Sequence, residues 1–276
     1  MSMGGQFRIE AGGRALPRRS ALYGAGEDMR RGFAGAVSER RYDGPAIGLV
    51  EAGTFTYRTE AGEAAAVPGT ILFGNAGEGF GCAHLDAAGN RRAAVVFASD
   101  LLVEAATETG STQPRFAVAA LAPSPRSLQM QAAIRRLVRS DRARDDVLID
   151  LLATVFGLPP VATRRGSARE TRRILDIARH LNDHFAEPHG LGDLAAAAGI
   201  SRFHFVRQFR RLVGASPHQY LIALRLRAAA QCLEEGNAPV TDVALDAGFN
   251  DISHFNQLFR RAYGIAPTRW RTQAKP

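Results

Sequence analysis

The sequence predicts an α+β protein of two domains, with a β-rich N-terminal domain and an all-α C-terminal domain. Its 276 residues favour two domains, because one domain usually takes roughly 100–200 residues. Short apolar stretches between turn residues run from Pro45 to Phe97, whereas a period of about 3.6 residues begins at Ser127. The excess positive charge lies in the second half of the chain, so the two halves also differ in electrostatics.

Composition excludes several classes of protein. Hydrophobic residues make up 46% of the chain, which excludes a disordered protein, and no apolar run approaches the ~18 residues of a membrane span. The N-terminus lacks the apolar core of a secretory signal, and the two cysteines, Cys82 and Cys232, lie far apart. We therefore expect a cytoplasmic protein with no disulfide framework and no membrane partner.

The formal net charge of +8 is unevenly distributed. Residues 1–125 carry −1, residues 126–168 carry +4 and residues 169–276 carry +5. This asymmetry is typical of a polyanion-binding module joined to a near-neutral one, but it also fits a chain that is merely rich in arginine. Charge alone leaves both interpretations open.

Residues 1–125 are predicted to form an antiparallel sandwich or barrel, because their apolar segments are short and evenly spaced. Turn residues such as Pro68-Gly69 separate these segments. The expected strands include 47–50, 54–57, 66–67, 70–73 and 93–97.

Residues 126–158 are predicted to form two helices, broken near 140–144 and ended by Gly157-Leu158-Pro159-Pro160. Residues 159–168 are polar, small and basic, which is typical of a linker. The C-terminal domain, residues 169–276, then begins with an amphipathic helix.

An internal repeat organises the C-terminal domain. Residues 193–217 read DLAAAAGISRFHFVRQFRRLVGASP, and residues 242–267 read DVALDAGFNDISHFNQLFRRAYGIAP. With one inserted residue the two superimpose, and each predicts a helix–turn–helix, over about 190–213 and 240–263.

The turn of each copy carries its own sequence markers. Gly199 and Gly248 follow the first helices, where a left-handed residue gives a sharp turn. Ser201 is the expected N-cap of the second helix in the first copy, and Asn250 or Asp251 is expected in the second.

The second helix of each copy has an apolar face and a polar face. Phe205 and Phe209, like Phe255 and Phe259, are four residues apart and predict a core-facing stripe. Arginine pairs with guanine, asparagine and glutamine pair with adenine, and an aliphatic group contacts the thymine methyl. The opposite faces hold such residues, namely Arg202, Val206, Arg207 and Arg210 in the first copy and Ser253, Asn256, Gln257 and Arg260 in the second.

Phosphate contacts and a rigid connector complete the expected DNA-binding module. Arg211 and Arg261 suit phosphates. Ser216 as N-cap and Pro217 at the first position start a helix that runs to about Glu235 and joins the two units. Such a connector matters because two recognition helices on one face of DNA lie about one helical turn, ~34 Å, apart. Cys232 in this helix is expected to be buried.

The sequence of the C-terminal repeat resembles that of a known protein family. A single helix–turn–helix pattern occurs in many helical hairpins, but two matched copies in a basic segment are more specific. Residues 169–276 resemble the DNA-binding domain of the AraC/XylS family of bacterial transcription regulators, most closely in the stretch 244–255 and in Phe259-Arg260-Arg261, Gly264 and Pro267. The resemblance implies seven helices. It also implies that eight residues lie where family members contact DNA, namely Arg202, Phe203, Val206 and Arg207 in the first copy and Ser253, His254, Asn256 and Gln257 in the second.

The N-terminal part is similar to the cupin-like sensor domains of this family. The resemblance implies a small β-barrel that binds an effector, followed by helices that dimerise. Cys82 and His84 share a face of one strand, but two ligands are too few for a metal site, and we expect no metal or other cofactor. The candidate effector-binding residues are Tyr57, Phe73, Phe80, Cys82 and His84, for which a core role is the alternative.

The sequence therefore predicts a transcription regulator and not an enzyme. It would bind double-stranded promoter DNA as a homodimer and respond to a small-molecule effector, which would change its affinity for DNA or its contact with RNA polymerase. We expect an activator, and the sequence leaves repression open as the alternative. The alternatives are a cupin-type enzyme carrying a DNA-binding appendage and a DNA-architectural or repair protein. The absent metal triad disfavours the former, and the modest charge disfavours the latter.

Overall fold

The computed structural model describes residues 16–30, 37–84, 89–111, 113–156 and 167–274. The chain forms two compact units. Unit 1 comprises residues 1–121 and 130–165, and unit 2 comprises residues 122–129 and 166–276. Most of the predicted linker, residues 159–168, and the predicted helix stop at 157–160 lie outside the described residues. The domain boundaries given above therefore stay predictions.

Unit 1 contains two antiparallel sheets. The first has the strand order β1-β8-β3-β6-β9, and the second has the order β2-β7-β4-β5. The strands are β1 Tyr23–Arg30, β2 Val37–Arg41, β3 Ala46–Ala52, β4 Phe55–Thr59, β5 Gly62–Ala66, β6 Ile71–Gly74, β7 Gly79–His84, β8 Asn90–Phe97 and β9 Ala120–Leu121. The described strands thus form two separate sheets and no closed barrel, so the predicted cupin-like barrel is not confirmed.

The two faces of the first sheet belong to different cores. Because side chains alternate along a strand, Ala94 and Val96 of β8 lie in the core shared with Phe55 and Tyr57 of the second sheet. Val95, between them, lies in a second core with side chains of three helices. These helices are α1 Ser99–Glu108, α2 Leu128–Arg139 and α3 Asp145–Phe156.

The helices α2 and α3 confirm the pair predicted for residues 126–158, including the break near 140–144. Their apolar stripes are used inside unit 1, since Ile134, Leu137, Leu148 and Leu152 belong to its core. On the outward surface of α3, Ile149 is 51% exposed.

Unit 2 contains the seven helices implied by the family resemblance within the described residues 167–274. The connector α7 begins at Pro217 and ends at Glu235, as predicted, because the Ser216 hydroxyl accepts a hydrogen bond from the Gln219 N–H at 3.2 Å. The helices are α4 Ala168–Asp183, α5 Leu191–Ala197, α6 Arg202–Val213, α7 Pro217–Glu235, α8 Val240–Asp246, α9 Ile252–Tyr263 and α10 Pro267–Ala274.

One sequence-based expectation in unit 2 is wrong. Cys232 is exposed on α7, because the buried face of this helix is formed by its neighbours Ala229, Ala230 and Leu233. None of the helices in the described part of the chain is long and apolar enough to cross a membrane.

Candidate nucleic-acid interface

The first helix–turn–helix is formed by α5 and α6. Gly199 in the turn has φ +64°, a left-handed conformation that glycine adopts without strain. Its N–H donates to the Ala196 carbonyl at 2.8 Å, which closes the end of α5. The Ser201 hydroxyl accepts a hydrogen bond from the His204 N–H at 3.4 Å, so α6 begins at the predicted cap.

The second helix–turn–helix, α8 and α9, repeats this backbone arrangement. Gly248 has φ +85°, and its N–H donates to the Leu245 carbonyl at 2.8 Å. Of the two predicted caps, Asp251 is the one used, since its carboxylate accepts a hydrogen bond from the His254 N–H at 3.0 Å. In this turn, which is one residue longer than the first, Phe249 is buried, with its ring 5.1 Å from that of Phe255.

The phenylalanine stripes fix which face of each second helix points outward. Phe205, Phe209, Phe255 and Phe259 are completely buried, as predicted. Because residues three and four apart share a helix face, the polar rows between these stripes point away from the core of unit 2. The core thereby orients the candidate DNA-binding side chains.

The outward face of α6 is cationic and apolar. Its arginines Arg202, Arg207 and Arg210 are exposed, and Val206 is half-buried. Phe203 is 79% exposed, although it is a large apolar residue. These five are therefore available to a ligand in the positions that the sequence predicts.

The outward face of α9 is dominated by uncharged hydrogen-bonding groups. Ser253, His254 and Gln257 are exposed and Asn256 is half-buried. Two exposed arginines, Arg260 and Arg261, lie in the last turn, where positive charge is favoured by the helix dipole. A surface concavity of about 840 Å³ runs along this helix and is lined by Asp251, Ser253, His254, Asn256, Gln257, Arg260 and Arg261.

Arg211 differs from the other predicted arginines because it is paired inside unit 2. Its guanidinium lies 3.2 Å from the Glu170 carboxylate of α4, and its side chain is 34% exposed. The other carboxylate oxygen of Glu170 accepts a hydrogen bond from the Gln208 amide at 2.8 Å. A phosphate contact by Arg211 would compete with this ion pair, whereas its counterpart Arg261 is exposed.

Glu170 is a supporting residue of the site that the sequence interpretation did not single out. It forms a capping box with Ser167 at the start of α4. The backbone N–H of Ser167 first, then the Ser167 hydroxyl and Arg211, hold the pKa of Glu170 below its ordinary value. The sequence Ser167-Ala168-Arg169-Glu170 is the pattern that predicts such a box.

Three of the five candidate effector-binding residues lie in the core between the sheets of unit 1, namely Tyr57, Phe80 and Cys82. Tyr57 and Cys82 are directly paired across β4 and β7. His84 is also buried, and its ring lies 5.5 Å from that of Phe55. The Phe73 side chain lies in the other core, with its ring 4.9 Å from that of Phe116, so the structure separates this side chain from those of the other four candidates.

The phenol of Tyr57 is held by two hydrogen bonds. Its oxygen lies 2.6 Å from that of Tyr42, and it donates to the Phe73 carbonyl at 2.8 Å. Burial, together with the Tyr42 phenol, raises the pKa of Tyr57 well above its ordinary value. Tyr57 therefore stays neutral and acts as packed core in this structure.

An open concavity of about 650 Å³ lies on the opposite, outward face of the second sheet. Thr56, Arg58, Gly81 and Ala83 line it, and of the five candidate effector-binding residues only Phe80 does. No group of three or more histidine, cysteine or acidic side chains in the described ranges is placed to hold a metal ion. Binding of an effector by the five residues stays a prediction.

The match to a known protein family lies in unit 2. Residues 194–273 match a family model described as a helix-turn-helix domain. The probable transcriptional regulator LumQ of Photobacterium leiognathi is 34% identical over 94 residues, which cover 34% of this chain and 38% of LumQ. The HTH-type transcriptional activator RhaS of Escherichia fergusonii is 31% identical over 144 residues, covering 50% of this chain and 52% of RhaS.

The similarity covers only part of these proteins: this chain spans about half of the length of RhaS and less of LumQ. Among solved structures, the DNA-binding domain of AdpA in complex with a target DNA is 33% identical. That match covers 37% of this chain and 91% of the AdpA chain, with a TM-score of 0.36.

Proposed function

We propose that this chain, whose residues 194–273 match a helix-turn-helix family model, is a sequence-specific DNA-binding transcription regulator of the AraC/XylS type. One observation carries the proposal. The helices α6 and α9 start and end in the same way, and each exposes base-recognising side chains opposite a buried phenylalanine pair. A merely basic surface would not repeat this arrangement twice within one compact unit.

In this proposal α6 and α9 enter successive major grooves. The connector α7 has 19 residues, and at 1.5 Å per residue it is about 28 Å long, close to one helical turn of DNA. Arg202, Arg207, Gln257 and Asn256 would read base edges. Arg210, Arg260 and Arg261 lie nearer the helix ends and would contact phosphates.

The direct test is selection of bound sequences. The full chain would be incubated with random duplex DNA, and the bound fraction sequenced over several rounds. We expect a site with two half-sites about one helical turn apart. Binding without enrichment of any sequence would contradict the proposal.

The regulatory part of the proposal extends to the whole chain. The names of LumQ as a transcriptional regulator and of RhaS as a transcriptional activator support a role in transcription. We propose that this chain activates promoters in the cytoplasm through contact with RNA polymerase. A small-molecule effector bound by unit 1 would change the affinity for DNA. Thermal-shift screening of metabolites with the full chain, followed by DNA binding with each hit, tests the effector.

A homodimer through the outward surface of α3 belongs to the same proposal. Ile149 is half-exposed there and offers an apolar contact. Light scattering of the full chain should give twice the monomer mass, and Ile149→Asp should restore the monomer. A monomer at micromolar concentration would contradict the dimer but not the DNA-binding function.

The cupin-type enzyme is the alternative function, and the relatives' names as regulators favour regulation over it. Metal analysis of the purified protein discriminates between the two. One tightly bound metal ion per chain would favour the enzyme.

A further inference from the structure

Phe203 is the most exposed large hydrophobic side chain in the described part of the chain. It is 79% exposed, and the next, Leu245, is 55% exposed. The core of unit 2 does not need this ring, because Phe205 and Phe209 already form the buried stripe of α6. An apolar group displayed on a helix of such a domain is available to a binding partner.

The two helix–turn–helix units differ most at the position of Phe203 and its neighbours. Phe203 is the second residue of α6, and Val206 and Arg207 share its face at i+3 and i+4. Counting from the matched buried phenylalanines, the equivalent residues of α9 are Ser253, Asn256 and Gln257. On the same backbone, α6 thus presents an apolar pair beside a cation, whereas α9 presents three uncharged hydrogen-bonding groups.

The chemistry of DNA restricts what such an apolar pair can recognise. In the major groove every base edge presents hydrogen-bond donors or acceptors, and only thymine adds an apolar group, its 5-methyl. A phenyl ring offers no conventional donor or acceptor. The first residues of a recognition helix are those that meet base edges.

We propose that Phe203 packs against the 5-methyl group of a thymine in the major groove. The half-site bound by α6 then prefers a thymine at that position, and the half-site bound by α9 is recognised by hydrogen bonds. This inference rests on the proposed function and adds the preferred base to one half-site.

The test removes one methyl group at a time. The full chain is used to select its preferred sequence, and each thymine of that site is then replaced singly by deoxyuridine, which lacks only the 5-methyl. We expect one thymine whose replacement weakens binding about three- to tenfold, the effect of burying one methyl group. The Phe203→Ala variant should bind the thymine and deoxyuridine duplexes equally at that position.

Matched variants identify the residue responsible. Ser253→Ala changes the equivalent position of α9 and should keep the full dependence on that methyl. Phe203→Leu keeps an apolar side chain and should keep part of it. Since Phe203 lies on the surface, all three variants should show wild-type circular dichroism.

Each contrary result has its own meaning. If Phe203→Ala and wild type lose the same factor on deoxyuridine, the proposed contact is wrong. Unchanged DNA affinity in Phe203→Ala overturns it in favour of a protein partner for the ring. Lower affinity without methyl dependence overturns it in favour of a wedge that kinks the DNA. Failure to select any sequence contradicts the proposed function itself.

Discussion

At the scale of single residues, the interface depends on which arginines are paired within unit 2. Arg207 and Arg210 of α6 are exposed, whereas Arg211 is bound to Glu170. The guanidinium of Arg211 is thus already paired with a carboxylate in the folded protein. The number of arginines in α6 therefore overstates the positive charge that this helix presents to DNA.

Arg207 and Gln257 occupy equivalent positions in α6 and α9, and both are exposed. We expect Arg207→Ala and Gln257→Ala each to cost about 1–3 kcal/mol of DNA-binding free energy and to relax specificity at one base pair. The measurement is the affinity of each variant for the selected site and for all single-base variants of it. An equal loss on specific and nonspecific DNA would show that the residue does not read a base.

The Glu170 carboxylate stabilises unit 2 in a pH-dependent way. Its pKa is lower in the folded state than in the unfolded state, chiefly through the Ser167 N–H. Its stabilisation is therefore complete above the ordinary glutamate pKa of about 4.3 and is lost as the pH falls through the lower folded-state pKa. Because the side chain is about one-third exposed, we expect Glu170→Gln to cost only about 0.5–1 kcal/mol at pH 7.

Urea unfolding followed by Trp270 fluorescence measures this effect. Trp270 is the single tryptophan of the chain and is buried in unit 2, so it reports on that unit. The stability difference between wild type and Glu170→Gln should shrink between pH 7 and pH 3. Arg211→Ala and the double variant give the coupling between the two residues. A difference that is the same at all pH values would exclude the charge as its origin.

At the scale of elements, the two helix–turn–helix turns share one conformation but have different surroundings. A Cβ added at Gly199 would meet nothing within 4 Å, whereas one added at Gly248 would lie 2.5 Å from the Ala186 carbonyl oxygen. Both glycines have positive φ. The two turns therefore allow the cost of the left-handed conformation to be separated from the cost of a steric clash.

We expect Gly199→Ala to cost about 1–2 kcal/mol, the strain of a left-handed alanine. Gly248→Ala should cost more than that, because the backbone of Ala186 must also move. Trp270 fluorescence in urea gives both stabilities, and Gly62→Ala, a positive-φ glycine of unit 1, should leave this transition unchanged. If Gly199→Ala and Gly248→Ala lowered the free energy of unfolding equally, the backbone at Ala186 would move without a cost in stability.

The elements that could be predicted from the sequence are those whose determinants are local. The connector α7 was predicted from Ser216 and Pro217, and the recognition helices from glycine, cap and phenylalanine spacing. The strands β1 and β2 were not predicted, since β1 pairs with the distant β8 and its sequence YGAGEDMR does not alternate. The ion pair of Arg211 was missed because Glu170 lies 41 residues away in sequence. The side chains of Phe73 and Tyr57 lie in two different cores because of the way the strands pair into sheets. The apolar pattern of a single strand does not specify that pairing.

At the scale of the whole molecule, the charge is divided as the proposed DNA-binding function requires. Residues 1–125 carry −1 and residues 169–276 carry +5. Within residues 169–276, five exposed arginines lie on the two recognition helices α6 and α9, namely Arg202, Arg207, Arg210, Arg260 and Arg261. We expect their contribution to DNA affinity to be largely electrostatic, so the salt dependence of the affinity gives the number of phosphates that they neutralise.

Contacts between arginine and phosphate release counterions, so the affinity should fall linearly with salt concentration on a double-logarithmic plot, by about 0.9 per phosphate neutralised. We expect a slope of about −3 for the wild type, since three of the five arginines are proposed to contact phosphates and the other two to read bases. The double variant Arg210→Ala/Arg260→Ala should reduce the slope by about 2 at any DNA sequence. Arg142→Ala, which removes an exposed arginine from unit 1, should leave it unchanged. Fluorescence anisotropy between 50 and 300 mM salt gives the three slopes, and equal slopes would place the phosphate contacts outside α6 and α9.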